Sequence, residues 1–284
     1  MGEAGAEEPA SEAAGSQLLS DLGARVRALL RLVPGAAVVL TAVVTSSFLM
    51  FVLTDPAQRW LLALAVLAAA VGTDGVLRSA HPRTFALGMD STPQLILPAL
   101  YALAMPLFIE QNARGLWSPS LALAAGLGFG LIVIAEVRSV REFERGASEA
   151  RLVTDVAAYL TAFALFSLLY MRDPGLPAAA LMAALIGGLL SFEVLRNSSL
   201  GLLDMLTFAL AGALVLGQLR WALDYVPLDG HLAAVALLLA FFFLSGVLAS
   251  RLRGQLTREV LLQYGGLTAG GVLLVILARA ADLG

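Results

Sequence analysis

The acids and arginines that punctuate the apolar segments of this chain carry its candidate chemistry. They are Asp74 and Arg78 in "DGVLRS", Glu136 and Arg138 in "EVRS", Glu193 and Arg196 in "EVLRNS", and Asp155 and Asp204 near the starts of two further segments. Carboxylates gathered in one layer could hold a cation or serve as general bases, and arginine forks beside them could grip a lipid phosphate. Asp74 and Arg78 are spaced i,i+4 and Glu193 and Arg196 i,i+3, so each pair shares a helix face and can meet. Glu136 and Arg138 stand two apart and point away from each other. Glu136 is the most informative of the set, because it needs a partner from a neighbouring helix, a protonated state or a ligand.

Depth in a membrane sets the weight of such charges. At 1.5 Å per helical residue, Asp74 lies about 21 Å from Trp60 and Glu193 about 24 Å from Pro177, in a hydrocarbon layer about 30 Å thick. Both sit near the inner boundary. An ionisable group at the bilayer centre is costly and points to function, whereas one at the boundary is relieved by water, snorkelling and a nearby arginine. Asp155 and Asp204, at the beginnings of their helices, also gain from the positive end of the helix dipole. Each acid taken singly favours a structural role; a shared polar layer is the functional alternative.

The elements that must position these residues follow from composition. Of 284 residues, 59% are hydrophobic and 14% charged, against roughly 25% charged in soluble domains, and the mean hydropathy is +0.86. Apolar runs of about 20 residues recur along the chain, the mark of an all-α, polytopic transmembrane bundle. Short segments of alternating polarity, which a membrane β-barrel requires, are absent. Nine spans are expected at about Val33 to Leu53, Trp60 to Leu77, Gln94 to Ile109, Pro119 to Val137, Leu152 to Met171, Pro177 to Leu195, Leu200 to Leu219, His231 to Ser250 and Val260 to Arg279. Residues 1–16, with four acids and no base, read as a disordered tail. Residues 17–32 read as an amphipathic helix in the headgroup layer or an extension of the first span, and residues 33–284 as the bundle.

Side follows from charge. With a cytoplasmic N-terminus, thirteen arginines fall inside and five outside, and Trp60, Trp117 and Trp221 all fall at the outer interface. This places the chain in the plasma or inner membrane with its C-terminus outside. The acid and arginine at the inner ends of the second, fourth and sixth spans fit three or four αα-hairpin repeats plus a ninth helix. They also fit the topology rule alone, since any helix running inward tends to end in arginine.

Absences narrow the chemistry. All 18 basic residues are arginine, which excludes a retinal Schiff base, a P-loop lysine and a lysine nucleophile. There is no cysteine, so disulfides, thiolate metal sites and cysteine nucleophiles are excluded too. His81 and His231 fall on opposite sides, which argues against a shared haem. No HExxH, G-x-S-x-G or aspartate-rich prenyl-diphosphate motif is present. The "DG" of "DGVLRS" lacks the further aspartates and the placed arginine of CDP-alcohol phosphotransferases. Asp224, Asp229 and His231 in "LDYVPLDGH" read as turn and capping residues ahead of a metal site.

Weaker signals concern packing. Pro93, Pro98 and Pro106 in the third span fit kinks, or carbonyls freed to line a cavity. Gly126 with Gly130, and Gly266 with Gly270, have the spacing for close helix approach, within one chain or between two. Tyr101, Tyr159, Thr45, Ser46 and Ser47 are expected to bond a carbonyl or a facing helix. The functional expectation, in order, is a non-enzymatic accessory or scaffold protein, a small-solute or ion transporter, and a lipid-modifying enzyme using the inner acids. No cofactor, metal or nucleic acid is implied; the expected partners are membrane lipids, anionic headgroups at the inner face, and a second copy of the chain.

Overall fold

The computed structural model describes residues 35–82, 91–140, 147–172, 174–196, 201–226, 228–252 and 254–282. The acidic tail at 1–16, the amphipathic segment at 17–32 and Glu142, whose i,i+4 spacing from Arg138 predicts a pair on an extended helix, lie outside these residues. Among the described residues there are nine helices, α1 Gly35–Leu53, α2 Arg59–Ala80, α3 Thr92–Asn112, α4 Trp117–Ser139, α5 Ala147–Arg172, α6 Leu176–Leu195, α7 Leu202–Leu223, α8 Gly230–Leu252 and α9 Arg258–Asp282. All nine are long and apolar enough to cross a membrane. In hydrocarbon a helix satisfies its backbone groups internally, so long apolar runs settle into this form. The chain is an all-α, multi-pass membrane protein.

Local sequence sets the ends. Pro93 and Pro177 stand in the first turns of α3 and α6, where a missing N–H costs nothing. Gly175, in the turn before α6, has φ +87, a left-handed conformation that a side chain would strain. Pro98 and Pro106 lie inside α3 without ending it. Charged residues lengthen α5, which begins at Ala147 rather than near Leu152, with Glu149 in its first turn.

Packing groups the hairpins two by two. Helices α1 to α4 form a closed ring in which each touches the next and α4 returns to α1; α5 to α8 close a second ring in the same way. The rings meet where α5 packs on α3 and α4 and where α6 touches α3. One apolar core runs through both, from Phe48 on α1 through Leu97 and Phe129 to Phe166 on α5 and Phe241 on α8. Among the described residues helix α9 packs on α8 alone, and only 6% of its spanning window is buried, against 61% for α5. The α5 helix is thus the axle of the fold and α9 its periphery.

Small residues allow the closest approaches. A methyl group at Gly126 or Gly130 would collide with Thr45 or Thr41, so this glycine pair seats α4 on α1 within the chain. The two threonines turn their hydroxyls back to carbonyls of their own helix, Thr45 to Thr41 at 2.6 Å and Thr41 to Ala37 at 2.7 Å. Gly217 faces Ala184 and the Ala180 carbonyl, and Gly188 faces Ala213, which draws α6 and α7 together. Gly266 and Gly270, by contrast, meet nothing in the described chain. Two tyrosines tie helices across the core, Tyr101 donating to the Ala125 carbonyl at 3.1 Å and Tyr159 sharing a hydrogen bond with Ser245 at 3.1 Å.

Candidate functional site

Three helices, α3, α4 and α6, bring their ends together where the two rings meet, and the buried charges collect there. Glu136 lies one turn from the end of α4, Glu193 two residues from the end of α6, and Arg196 immediately beyond α6. A cation at a helix C-terminus is favoured by the dipole, and the backbone N–H of Arg196 still closes the last turn on the Phe192 carbonyl at 2.9 Å. From that post the guanidinium reaches inward. Its Nη2 donates to both oxygens of Glu136, at 3.0 and 2.8 Å, and its Nη1 to the carbonyl of Pro93, at 3.2 Å. The same Nη2 lies 3.1 Å from Oε1 of Glu193.

The cluster is dry. The side chains of Arg196, Glu136 and Glu193 are 8%, 0% and 4% exposed. Arginine cannot be deprotonated in a protein, so this is a fixed positive charge facing two carboxyl groups. Oε2 of Glu193 has no hydrogen-bond partner among the described residues. Asp155, half-buried on α5, adds its electrostatic influence on both Glu193 and Arg196.

A second unit stands beside the first. Arg78 Nε donates to Asp74 at 2.7 Å, and Ser91, buried just ahead of α3, donates its hydroxyl to the other Asp74 oxygen. The start of α3 is therefore held from two sides, through Ser91 by α2 and through the Pro93 carbonyl by α6. The pair is partly exposed, as its boundary position implies. Arg138 is half-buried and forms no ion pair among the described residues, and Asp204 is exposed in the first turn of α7. Of the eight residues expected to form a layer, Glu136, Glu193 and Arg196 are in contact and Asp155 is within electrostatic reach. Asp74 and Arg78 form the adjoining pair, and Arg138 and Asp204 stand apart.

Sequence reasoning found the helix-mates and missed the bridge. Nothing in residue type marks the Pro93 carbonyl as an acceptor, since every residue has one, and the 60-residue separation of Glu136 from Arg196 hides their contact. It also missed Arg220 at the opposite end, a fully buried side chain 3.0 Å from Asp224 and 4.1 Å above the Tyr170 ring. The i,i+4 spacing of Arg220 and Asp224 was the available signal.

Chemically, the junction can bind a cation on carboxylate oxygen or an anion on the guanidinium. Among the described residues no group of three or more acidic or histidine side chains is placed to hold a metal ion. The grooves on the bundle surface are apolar: one of about 670 Å³ runs along α3 to α5 past Tyr101, Phe108 and Leu160, and one of about 650 Å³ lies on α6 and α7.

Neither the curated proteins nor the solved structures contain a match to this chain. A family model described as "Protein of unknown function (DUF5656)" matches residues 39–278, from the first helix to the ninth. The chain therefore belongs to that family.

Proposed function

We propose that this is a non-enzymatic accessory or scaffold protein of the plasma or inner membrane, with its N-terminus cytoplasmic and the Glu136 cluster at the cytoplasmic end. The observation that carries this reading is the continuous apolar core from α1 to α8, with Phe48, Phe129, Phe166 and Phe241 fully buried. A carrier is built around charged groups or a wet cavity at mid-depth, whereas the described side chains in the middle of both rings are mainly apolar. The junction of charges then acts as a lock between two helix rings, holding one shape for partners and lipids to meet. Arg251 and Arg258, exposed at the arginine-rich end, suit anionic headgroups.

A second reading, transport of a small ion, draws on the surplus carboxyl group of Glu193. The two separate in one experiment. Purified full-length protein in vesicles is offered a panel of labelled ions, sugars and amino acids, while a deletion strain is followed for loss of a defined membrane complex on native gels. The accessory reading expects flux no greater than in empty vesicles and a missing complex. Solute accumulation that disappears in Glu136→Gln would replace it with a carrier.

A further inference from the structure

Counting charge at the junction among the described residues exposes an imbalance that packing alone does not explain. Arg196 supplies one positive charge, and Glu136 and Glu193 offer two negative ones, all almost completely removed from water. Burying an uncompensated charge is costly enough that a group neutralises instead of remaining ionised. The hydrogen bonds show which acid gives way. Glu136 receives two charge-assisted bonds from Nη2, one on each oxygen. The same nitrogen lies 3.1 Å from Oε1 of Glu193 as an ion-pair contact without hydrogen-bond geometry. Oε2 of Glu193 is buried and has no hydrogen-bond partner among the described residues.

We propose that the junction of α4 and α6 binds one exchangeable proton, carried on Oε2 of Glu193. The site then holds one cation, one carboxylate and one neutral carboxylic acid, and its charges sum to zero. The charged groups that act on Glu193 are Arg196 on its own helix, Glu136 from α4 and Asp155 from α5. Of the other helices packed on α6, α3 contributes the Pro93 carbonyl, while α7 and α8 carry Asp204 and Arg251 at this end, both exposed. When the proton leaves, two carboxylates compete for one guanidinium, and the bond that ties the first ring to the second weakens. Proton occupancy at Glu193 thereby sets the strength of the seam between the rings. This inference does not depend on the accessory reading, since a lock and a carrier would each need the junction neutral.

Infrared spectroscopy of the full chain in lipid nanodiscs at neutral pH tests it, because the carbonyl stretch of a protonated carboxyl group is separate from carboxylate bands. Wild type is expected to show such a band, and Glu193→Gln to lose it. Glu136→Gln is expected to lose it as well, although Glu193 is still present, because Arg196 is then free to pair with an ionised Glu193. Thermal unfolding serves as the control on folding. Glu193→Gln imitates the neutral acid and is expected to unfold at the wild-type temperature, with less dependence on pH between mildly acidic and mildly alkaline buffer. A wild-type spectrum without the band, a band that survives Glu193→Gln, or a large fall in unfolding temperature in that variant would each overturn the proposal. So would stabilisation of wild type, and not of Glu193→Gln, by added sodium chloride relative to choline chloride, which would assign the site to a metal cation.

Discussion

Arg196 and Arg220 are both buried arginines, at opposite ends of the bundle, and their company differs. Arg220 is 2% exposed, yet its one acidic partner among the described residues, Asp224, is 39% exposed and can share water, while the Tyr170 ring covers the guanidinium at 4.1 Å. One charge meets one charge at the rim. Arg196 faces two acids with no such outlet, and its partners come from three helices instead of one turn of its own. Burial by itself therefore does not mark a site. What separates the two is the ratio of acids to arginine and whether the acid can reach water.

The largest expected effect comes from removing the cation of the dry cluster. Arg196→Gln strands two buried carboxyl groups and is expected to cost about 3–5 kcal/mol, the scale for breaking a buried pair. The loss should register as a steep fall in the thermal unfolding temperature of the detergent-solubilised protein. Arg220→Gln leaves Asp224 free to hydrate and is expected to cost about 1–3 kcal/mol, from a charge-assisted hydrogen bond and the ring contact. If the two variants fall equally, the distinction between the ends disappears.

Smaller effects sharpen the same contrast. Asp74→Asn breaks a partly exposed pair and the Ser91 bond, with an expected cost of about 1 kcal/mol or less. Raising ionic strength should trim stability in wild type by a few tenths of a kcal/mol through the exposed pairs, Arg220–Asp224 among them, and that salt response should be smaller in Arg220→Gln. Arg138→Gln, with no ion pair to lose, should stay within about 0.5 kcal/mol of wild type. A marked loss there would mean that the arginine holds something outside the described residues.

The fold was legible because each span repeats one simple signal. Twenty apolar residues bounded by Pro, Gly or charge are enough to place α1 to α9, and the spans expected from sequence overlap all nine helices. Side-chain pairs within a helix were legible for the same reason: the i,i+4 spacing of Asp74 and Arg78 and the i,i+3 spacing of Glu193 and Arg196 need no tertiary knowledge. Contacts between helices were not. Whether Glu136 meets Arg196, Arg138 or lipid depends on how α4 is rotated and on which helices surround it, and rotation is set by Gly126 and Gly130 seating on α1. The apolar pattern, hydrophobic on every face, carries no moment to fix that angle. Asp204 shows the converse: both acids were expected at helix beginnings, yet α5 starts at Ala147 and leaves Asp155 about two turns in and half-buried, whereas Asp204 stands exposed in the first turn of α7.

The claim under everything else is that Glu136, Glu193 and Arg196 form one charge-balanced unit across the seam of the two rings. The triple variant Glu136→Gln/Glu193→Gln/Arg196→Gln tests it against Arg196→Gln alone by thermal unfolding. Removing the acids together with their cation leaves no stranded charge, so the triple variant is expected to regain most of the stability that the single variant loses. A triple variant no more stable than Arg196→Gln would show that the three residues do not share a site.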